Sequence, residues 1–439
     1  MSKLQKILAG IVAVCALFFG FVVVRLGAAP NDDSVKLAKI SHENYAHVGK
    51  EAYKEAYPLE YNSYMKNNQG GESPTGYGGS DPGKSYIEMQ PEIKENFKGY
   101  KFSVQYDVAR GHTWAGVDQI NSQRIPPQKG NCIVCKSSWM YDKWYKESGW
   151  DFATMPFADA TPPYTDKDTV EGTDLYFGCS SCHDPDTMEL RVYQQGFVES
   201  MAMKGIDISK ASHNEMRGYV CGQCHNEYYF DPATKATKIA HNSLESMDPT
   251  TMLAFFNDAS NFSNGEIFTD YTNPRTGVKQ IKVQHPEFET FLGAGSQHAR
   301  DFTCADCHMP DAVNADGETY RSHELISPLD NPELIANNCS SCHADLVSEV
   351  HAVQEQVESR TYSVGYELEY LTELLAAAVE SGEYTEEELD AVRSLARDAQ
   401  FYWDFVFVEN AEGAHNPTLT YDCLDKAEAL TNRAIGLLR

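Results

Sequence analysis

"GNCIVCKSS", residues 130–138, carries two cysteines three positions apart, and the same spacing occurs at four other places in the chain. Those four read CSSCH (179–183), CGQCH (221–225), CADCH (304–308) and CSSCH (339–343), each with a histidine directly after the second cysteine. Only the first ends in a lysine, Lys136. Cys-x-x-Cys-His is the signature of c-type haem attachment: two thiols form thioethers to the macrocycle, and the histidine places its imidazole on the iron. Covalent haem is therefore expected at Cys179, Cys182 and His183, at Cys221, Cys224 and His225, at Cys304, Cys307 and His308, and at Cys339, Cys342 and His343. A fifth haem, with a changed axial ligand, is expected at Cys132, Cys135 and Lys136. Zinc or disulfide readings do not explain a histidine after every second cysteine. Of the two cysteines left over, Cys15 is given no role and Cys423 is expected to be a small buried apolar residue.

The surrounding composition agrees with an exported redox protein. The chain has 439 residues, 42% of them hydrophobic, enough to bury a large core in one or two domains. A net charge of −28 argues against nucleic acid or an anionic membrane surface as partner. Lys3 and Lys6 precede an unbroken apolar run from Ile7 to Val24, so residues 1–29 read as a signal peptide or an N-terminal membrane anchor. The rest is expected on the exported, periplasmic side of the membrane.

Residues 30–345 hold all five cysteine pairs at irregular spacing, which excludes a tandem repeat. Short helices are expected around the motifs, each pair making one turn that leads into a helix, and 67–85 reads as a long Gly-rich loop. Beyond Asp345 apolar residues recur every three or four positions without proline, the pattern of long amphipathic helices. The fold class is accordingly mainly α: a multihaem cytochrome c with long loops around five haems and a C-terminal helical region over 346–439.

An iron that only relays electrons takes a second axial ligand, and ten histidines lie outside the motifs. His112, His298, His323 and His415 stand in turn-like contexts from which each could reach an iron; spacing alone does not assign them. Lysine at the fifth site is a costly choice for a relay, because an amine binds iron only in its neutral form. An altered proximal ligand is instead one of the levers by which protein tunes haem iron.

One Cys-x-x-Cys-Lys followed by four Cys-x-x-Cys-His resembles the ammonia-forming pentahaem cytochrome c nitrite reductases. The likeness continues in "VCGQCHNEYYF" (220–230), "KVQHPEFET" (282–290) and "GAHNP" (413–417). The resemblance implies that Lys136 is the proximal ligand of a catalytic haem whose other face is open to substrate, with Arg124, Tyr228 and His285 around it. Arg110 competes with Arg124, because the stretch between Arg124 and Cys132 is shorter than in the relatives compared. It further implies that His323 faces the haem of His183, His112 that of His225, His415 that of His308 and His298 that of His343. Glu227 resembles the family's calcium ligand, joined by the carbonyls of Tyr228 and Lys282 and the side-chain oxygen of Gln284, an oxygen set that suits a hard cation.

The activity so implied is six-electron reduction of nitrite to ammonium at the Lys-ligated haem, fed by four bis-His haems. Arg124 and a protonated His285 would hold the nitrite oxygens, and Tyr228 would donate a hydrogen bond or proton. The alternatives are a non-enzymatic multihaem electron-transfer cytochrome, or a multihaem enzyme acting on hydroxylamine or sulfite. The resemblance implies as electron donor a membrane quinol-oxidising multihaem cytochrome or a soluble carrier, and a homodimer formed through the C-terminal helices.

Overall fold

The structure is a computed structural model that describes residues 49–68, 71–72, 76–77, 79–80, 84–124, 128–240 and 247–439. The N-terminal segment 1–29, Cys15, His42, His47, His241 and part of the Gly-rich stretch lie outside these residues. Among the described residues the protein is mainly α, as expected, with four two-stranded antiparallel ladders.

Each cysteine pair sits in a tight turn, but the flanking helix varies. The Cys132 turn leads into α1 (Ser138–Ser148), where the Ser137 hydroxyl accepts from the Met140 N–H at 3.5 Å. The Cys221 pair instead ends α2 (His213–Gly222), which starts with a Ser212/Glu215 capping box. The chain then forms a hairpin of β1 (Tyr228–Phe230) and β2 (Thr237–Ile239). Cys304–His308 is itself a short helix. A turn leading into a helix is thus one solution among several, because the motif needs only one turn to aim two sulfurs and an imidazole.

The C-terminal region is three helices: α3 (Leu346–Ser381), α4 (Glu386–Phe407) and α5 (Pro417–Leu437). The stretch readable as one helix or two is one, 36 residues long and therefore about 54 Å. Gly382 ends it in the left-handed conformation, φ +65°, that glycine adopts without strain. Thr385 and Glu388 then cap α4, whose first turn is acidic as the helix dipole favours. The apolar faces of all three helices meet in a core that includes Val364, Leu368, Trp403, Phe405, Leu424 and Cys423, the last fully buried as expected.

The inner face of α4 also carries polar residues at helical spacing: Arg397, Gln400 and Asp404. Arg397 donates to the carbonyls of Phe268 and Lys279 and to the Asn257 side chain. Gln400 meets the Gln280 amide and donates to the Tyr271 hydroxyl. Asp404 accepts from Lys282 Nζ at 2.8 and 3.1 Å and from the Val283 N–H at 2.8 Å. One helix face therefore fixes 279–283, and with it the segment that follows to Glu289.

Lys282 and Asp404 are 1% and 0% exposed, and the ammonium lies 4.9 to 5.5 Å from the ring centres of Phe97, Phe102 and Tyr106. Removing one partner of such a pair strands a buried charge. Asp404→Ala is expected to cost about 3–5 kcal/mol, read as a lower thermal midpoint at unchanged haem content. The paired variant Lys282→Met/Asp404→Leu should recover most of that loss; a single variant as stable as the parent would refute the reading.

Candidate functional site

The histidines expected to face one another do so. Ring centres are 6.1 Å apart for His183 and His323, 6.0 Å for His112 and His225, 6.1 Å for His308 and His415, and 5.9 Å for His298 and His343. A metal–imidazole bond is about 2 Å long, so with a ring nitrogen about 1.2 Å from its centre, two imidazoles on opposite sides of one metal have centres roughly 6 Å apart. Four pairs at one separation have the spacing of four bis-imidazole sites.

The outward nitrogens are held as well. The Nδ1–H groups of His183, His308 and His323 donate to the carbonyls of Met188, Ile326 and Arg321 at 2.8 to 3.0 Å. Those of His343 and His415 donate to carboxylates, Glu349 at 2.8 Å and Glu409 at 2.6 Å. A bond at Nδ1 fixes ring orientation and leaves Nε2 for a metal. Glu349 and Glu409 were missed in the sequence; each lies six residues from its histidine, a spacing with no motif attached to it.

All ten motif cysteines are free of disulfides, and sulfurs of different motifs adjoin. Cys135 lies within hydrogen-bonding reach of Cys224, and Cys221 of Cys304. The Gln194 amide donates to both Cys135 and Cys224, at 3.1 and 3.2 Å. The lysine-terminated motif therefore abuts the His225 motif, which in turn abuts the His308 motif.

Around the first motif the structure gathers most of the expected pocket. Lys136 lies within electrostatic range of His112, His225 and His285. Arg124 donates to the Ser122 hydroxyl at 3.2 Å, lies 4.2 Å over the Phe102 ring and acts electrostatically on Cys132. Arg110 is engaged elsewhere, paired with Asp118 and 3.8 Å over Trp114. Tyr228 begins β1, and burial raises its phenol well above the ordinary range. A cavity of about 260 Å³ opens beside Cys132, lined in part by Tyr100, Lys235 and Asp270.

His285 faces the same region. Although part of its ring borders open space, desolvation pushes it down to about 4, with Glu287 opposing. At pH 7 the imidazole is neutral, not the protonated donor expected from the sequence.

The expected calcium residues also converge. Glu227 is fully buried; its Oε2 accepts from the Gln284 N–H at 2.6 Å, and its Oε1 has no hydrogen-bond partner. The Gln284 amide reaches the Lys282 carbonyl at 2.8 Å. Glu289 accepts from the Glu227 N–H, and Asp270 from the Lys282 N–H. Burial, reinforced by Glu289 and Asp270, raises the Glu227 carboxyl well above its ordinary value. The Lys282 ammonium is committed to Asp404, so an orphaned carboxylate oxygen among oxygen donors fits a hard cation.

A chain with paired imidazoles at haem spacing and thiols placed for thioether bonds is a multihaem c-type cytochrome with covalently bound haem c. It belongs to the cytochrome c552 family, whose model matches residues 49–439. Over 419 residues it is 34% identical to the cytochrome c nitrite reductase subunit NrfA of Nitratidesulfovibrio vulgaris, covering 88% of this chain and 77% of that one. It is 29% identical to a cytochrome c-552 of Porphyromonas gingivalis, covering 84% and 71%. The fold matches the solved catalytic subunit NrfA of cytochrome c nitrite reductase from Desulfovibrio desulfuricans with a TM-score of 0.79 and 30% identity, over 90% of this chain and 86% of that one. That protein is described with two calcium sites. The resemblance drawn from the motifs is borne out, and a non-enzymatic carrier is not favoured.

One group beside the paired histidines gives a pH test. Burial, with Glu409 and Glu358 adding, raises Glu412 to about 8 against the opposing effect of His415, and its Oε2 has no hydrogen-bond partner. A carboxyl raised on folding contributes full stability below its unfolded pKa, near 4.5, and loses it as pH rises through about 8. Glu412→Gln removes this loss, so its thermal midpoint should gain on the parent steadily between pH 5 and 8. A difference that stays constant over that range would refute it.

Proposed function

We propose that this chain reduces nitrite to ammonium at the site of Cys132, Cys135 and Lys136. The observation that carries the reading is the one lysine-terminated motif, beside which Arg124, Tyr228 and His285 converge, in a chain that belongs to a cytochrome c552 family with nitrite reductases among its members. Five haems, when bound, would relay electrons from the donor and provide the iron for nitrite. Each nitrite takes up six electrons and eight protons to give ammonium and two waters.

The side chains do the rest. Lys136 would hold the catalytic iron through its neutral amine, at the position where each of the other four motifs offers an imidazole. Arg124 attracts the anion and holds an oxygen. His285, neutral at pH 7, donates a hydrogen bond to nitrite, and the anion's charge favours its taking up a proton there. Tyr228 keeps its phenolic proton, because burial opposes ionisation, and is a donor to the departing oxygen. Glu227, Gln284 and the carbonyls of Tyr228 and Lys282 hold calcium, which offsets the buried carboxylates and stiffens the backbone that carries Tyr228 and His285.

The C-terminal helices form the contact of a homodimer. In support, Tyr366 and Tyr370 lie one turn apart on α3, each 48% exposed. The apolar run Ile7–Val24 directs the chain across or onto the membrane for work in the periplasm. No helix among the described residues is long and apolar enough to cross a membrane. An electron donor, a membrane quinol-oxidising multihaem cytochrome or a soluble carrier, supplies the six electrons.

Haem-loaded protein with a low-potential donor is expected to convert nitrite to ammonium. Intact haem without ammonium would overturn the proposal. Lys136→His should keep the haem attached but lower kcat at least tenfold; unchanged turnover would remove the lysine's role. Glu227→Gln should lower calcium content by elemental analysis and slow turnover, and equal calcium in both proteins would sink the cation assignment.

A further inference from the structure

The relay nearest the pocket and the pocket itself share one side chain. Glu287 stands between two imidazoles: its Oε2 is 3.6 Å from His225 Nδ1, and its Oε1 is 4.0 Å from His285 Nδ1. Glu287 is 8% exposed. Glu287 Oε2 and His285 Nδ1 are both buried and neither has a partner at hydrogen-bond distance. Oε1 also accepts from the Asn410 amide. The backbone is anchored at the same point, since the Phe288 N–H donates to the His225 carbonyl at 2.9 Å.

We propose that Glu287 is a positioning residue shared by the two sites, its carboxylate orienting the pocket histidine His285 while setting the electron density on His225. This rests on the function proposed above, in which His225 ligates a relay haem and His285 meets substrate. A carboxylate at the outer nitrogen of a metal-bound histidine fixes the ring and makes it a more basic ligand. That favours the oxidised metal and lowers its reduction potential. Here the same carboxylate faces the imidazole that must point at nitrite. The adjoining sulfurs of Cys135 and Cys224 make the His225 haem the relay next to the Lys136 site. One charge thus governs both the driving force of the last electron step and the orientation of a donor in the pocket.

The same three side chains have the composition of a small metal site. Against that, the His225 ring already faces His112 at haem spacing, and at 3.6 and 4.0 Å the carboxylate acts on both imidazoles as a nearby charge.

The test is Glu287→Gln in the haem-loaded protein, which keeps the shape and removes the charge. A redox titration without nitrite should show one bis-imidazole haem shifted to higher potential and the other three unchanged. Steady-state nitrite reduction should show kcat lower by about tenfold, with KM within about twofold. Both changes are required: a shift in potential alone, a loss of kcat alone, or neither overturns the shared role. Should this variant fail to load haem, Asn410→Leu leaves the charge in place but frees the carboxylate. It is expected to show the same two changes, smaller, and an unchanged potential overturns the proposal. Ammonium formation by the parent protein separates the two readings. If the parent forms none, the function proposed above fails, while the potential still reports on Glu287 and His225.

Discussion

The buried contact between α4 and the segment 279–285 is the constraint from which most of the site follows. Asp404 accepts three hydrogen bonds, two from Lys282 Nζ and one from the Val283 N–H. A carboxylate and an ammonium with almost no exposure hold only if their geometry is complete. Once 282 and 283 are fixed, the next residues have little freedom. Gln284 reaches Glu227, His285 turns to the pocket, Glu287 lies against His225 and Glu289 accepts from the Glu227 N–H. A C-terminal helix with no motif of its own therefore sets the register of a site built from residues over a hundred positions earlier. Burial pushes the Asp404 carboxyl up to about 6 while Lys282 opposes it, so the fold pays for this register in solvation.

The second constraint is that the haems are part of the core. The residues described form several hydrophobic clusters rather than one, the largest around the C-terminal helices and a separate one around Ile133, Tyr141 and Phe152. Between them run the cysteine pairs and the facing imidazoles. A domain whose interior is shared with covalent macrocycles needs only short helices and turns there, because thioether bonds and axial ligands do the work that packed side chains do elsewhere. The long helices occur where no haem motif remains, after His343.

This division explains what was legible in the sequence. Cys-x-x-Cys-His is a local chemical requirement, so the haem sites, the odd lysine and the mainly α class stand out, and the three- and four-residue periodicity after Asp345 gives the helices. The pairing of His323 with His183 or His298 with His343 depends on segments brought together by tertiary packing, and only family resemblance proposed it. The carboxylates behind the histidines were illegible. Glu287 and Glu409 look like ordinary polar residues until the fold places them at Nδ1. The neutral state of His285 was misread for a similar reason: its titration depends on burial, which the tertiary fold supplies.

Electrostatics ties these levels together. The chain is strongly acidic, with a net charge of −28, yet its site must admit an anion and take up protons. Arg124 lies near Cys132, Lys282 is neutralised by Asp404, and the carboxylates Glu227 and Glu289 are buried beside the backbone that carries Tyr228. A hard cation among those carboxylates would reverse their effect on the pocket while leaving the surface acidic. Local potential at the reacting atoms is then set by which charges are buried and paired, not by the sum over the chain. On that argument the acidic exterior is free to serve another purpose, attraction of a basic electron donor, without cost to anion binding inside.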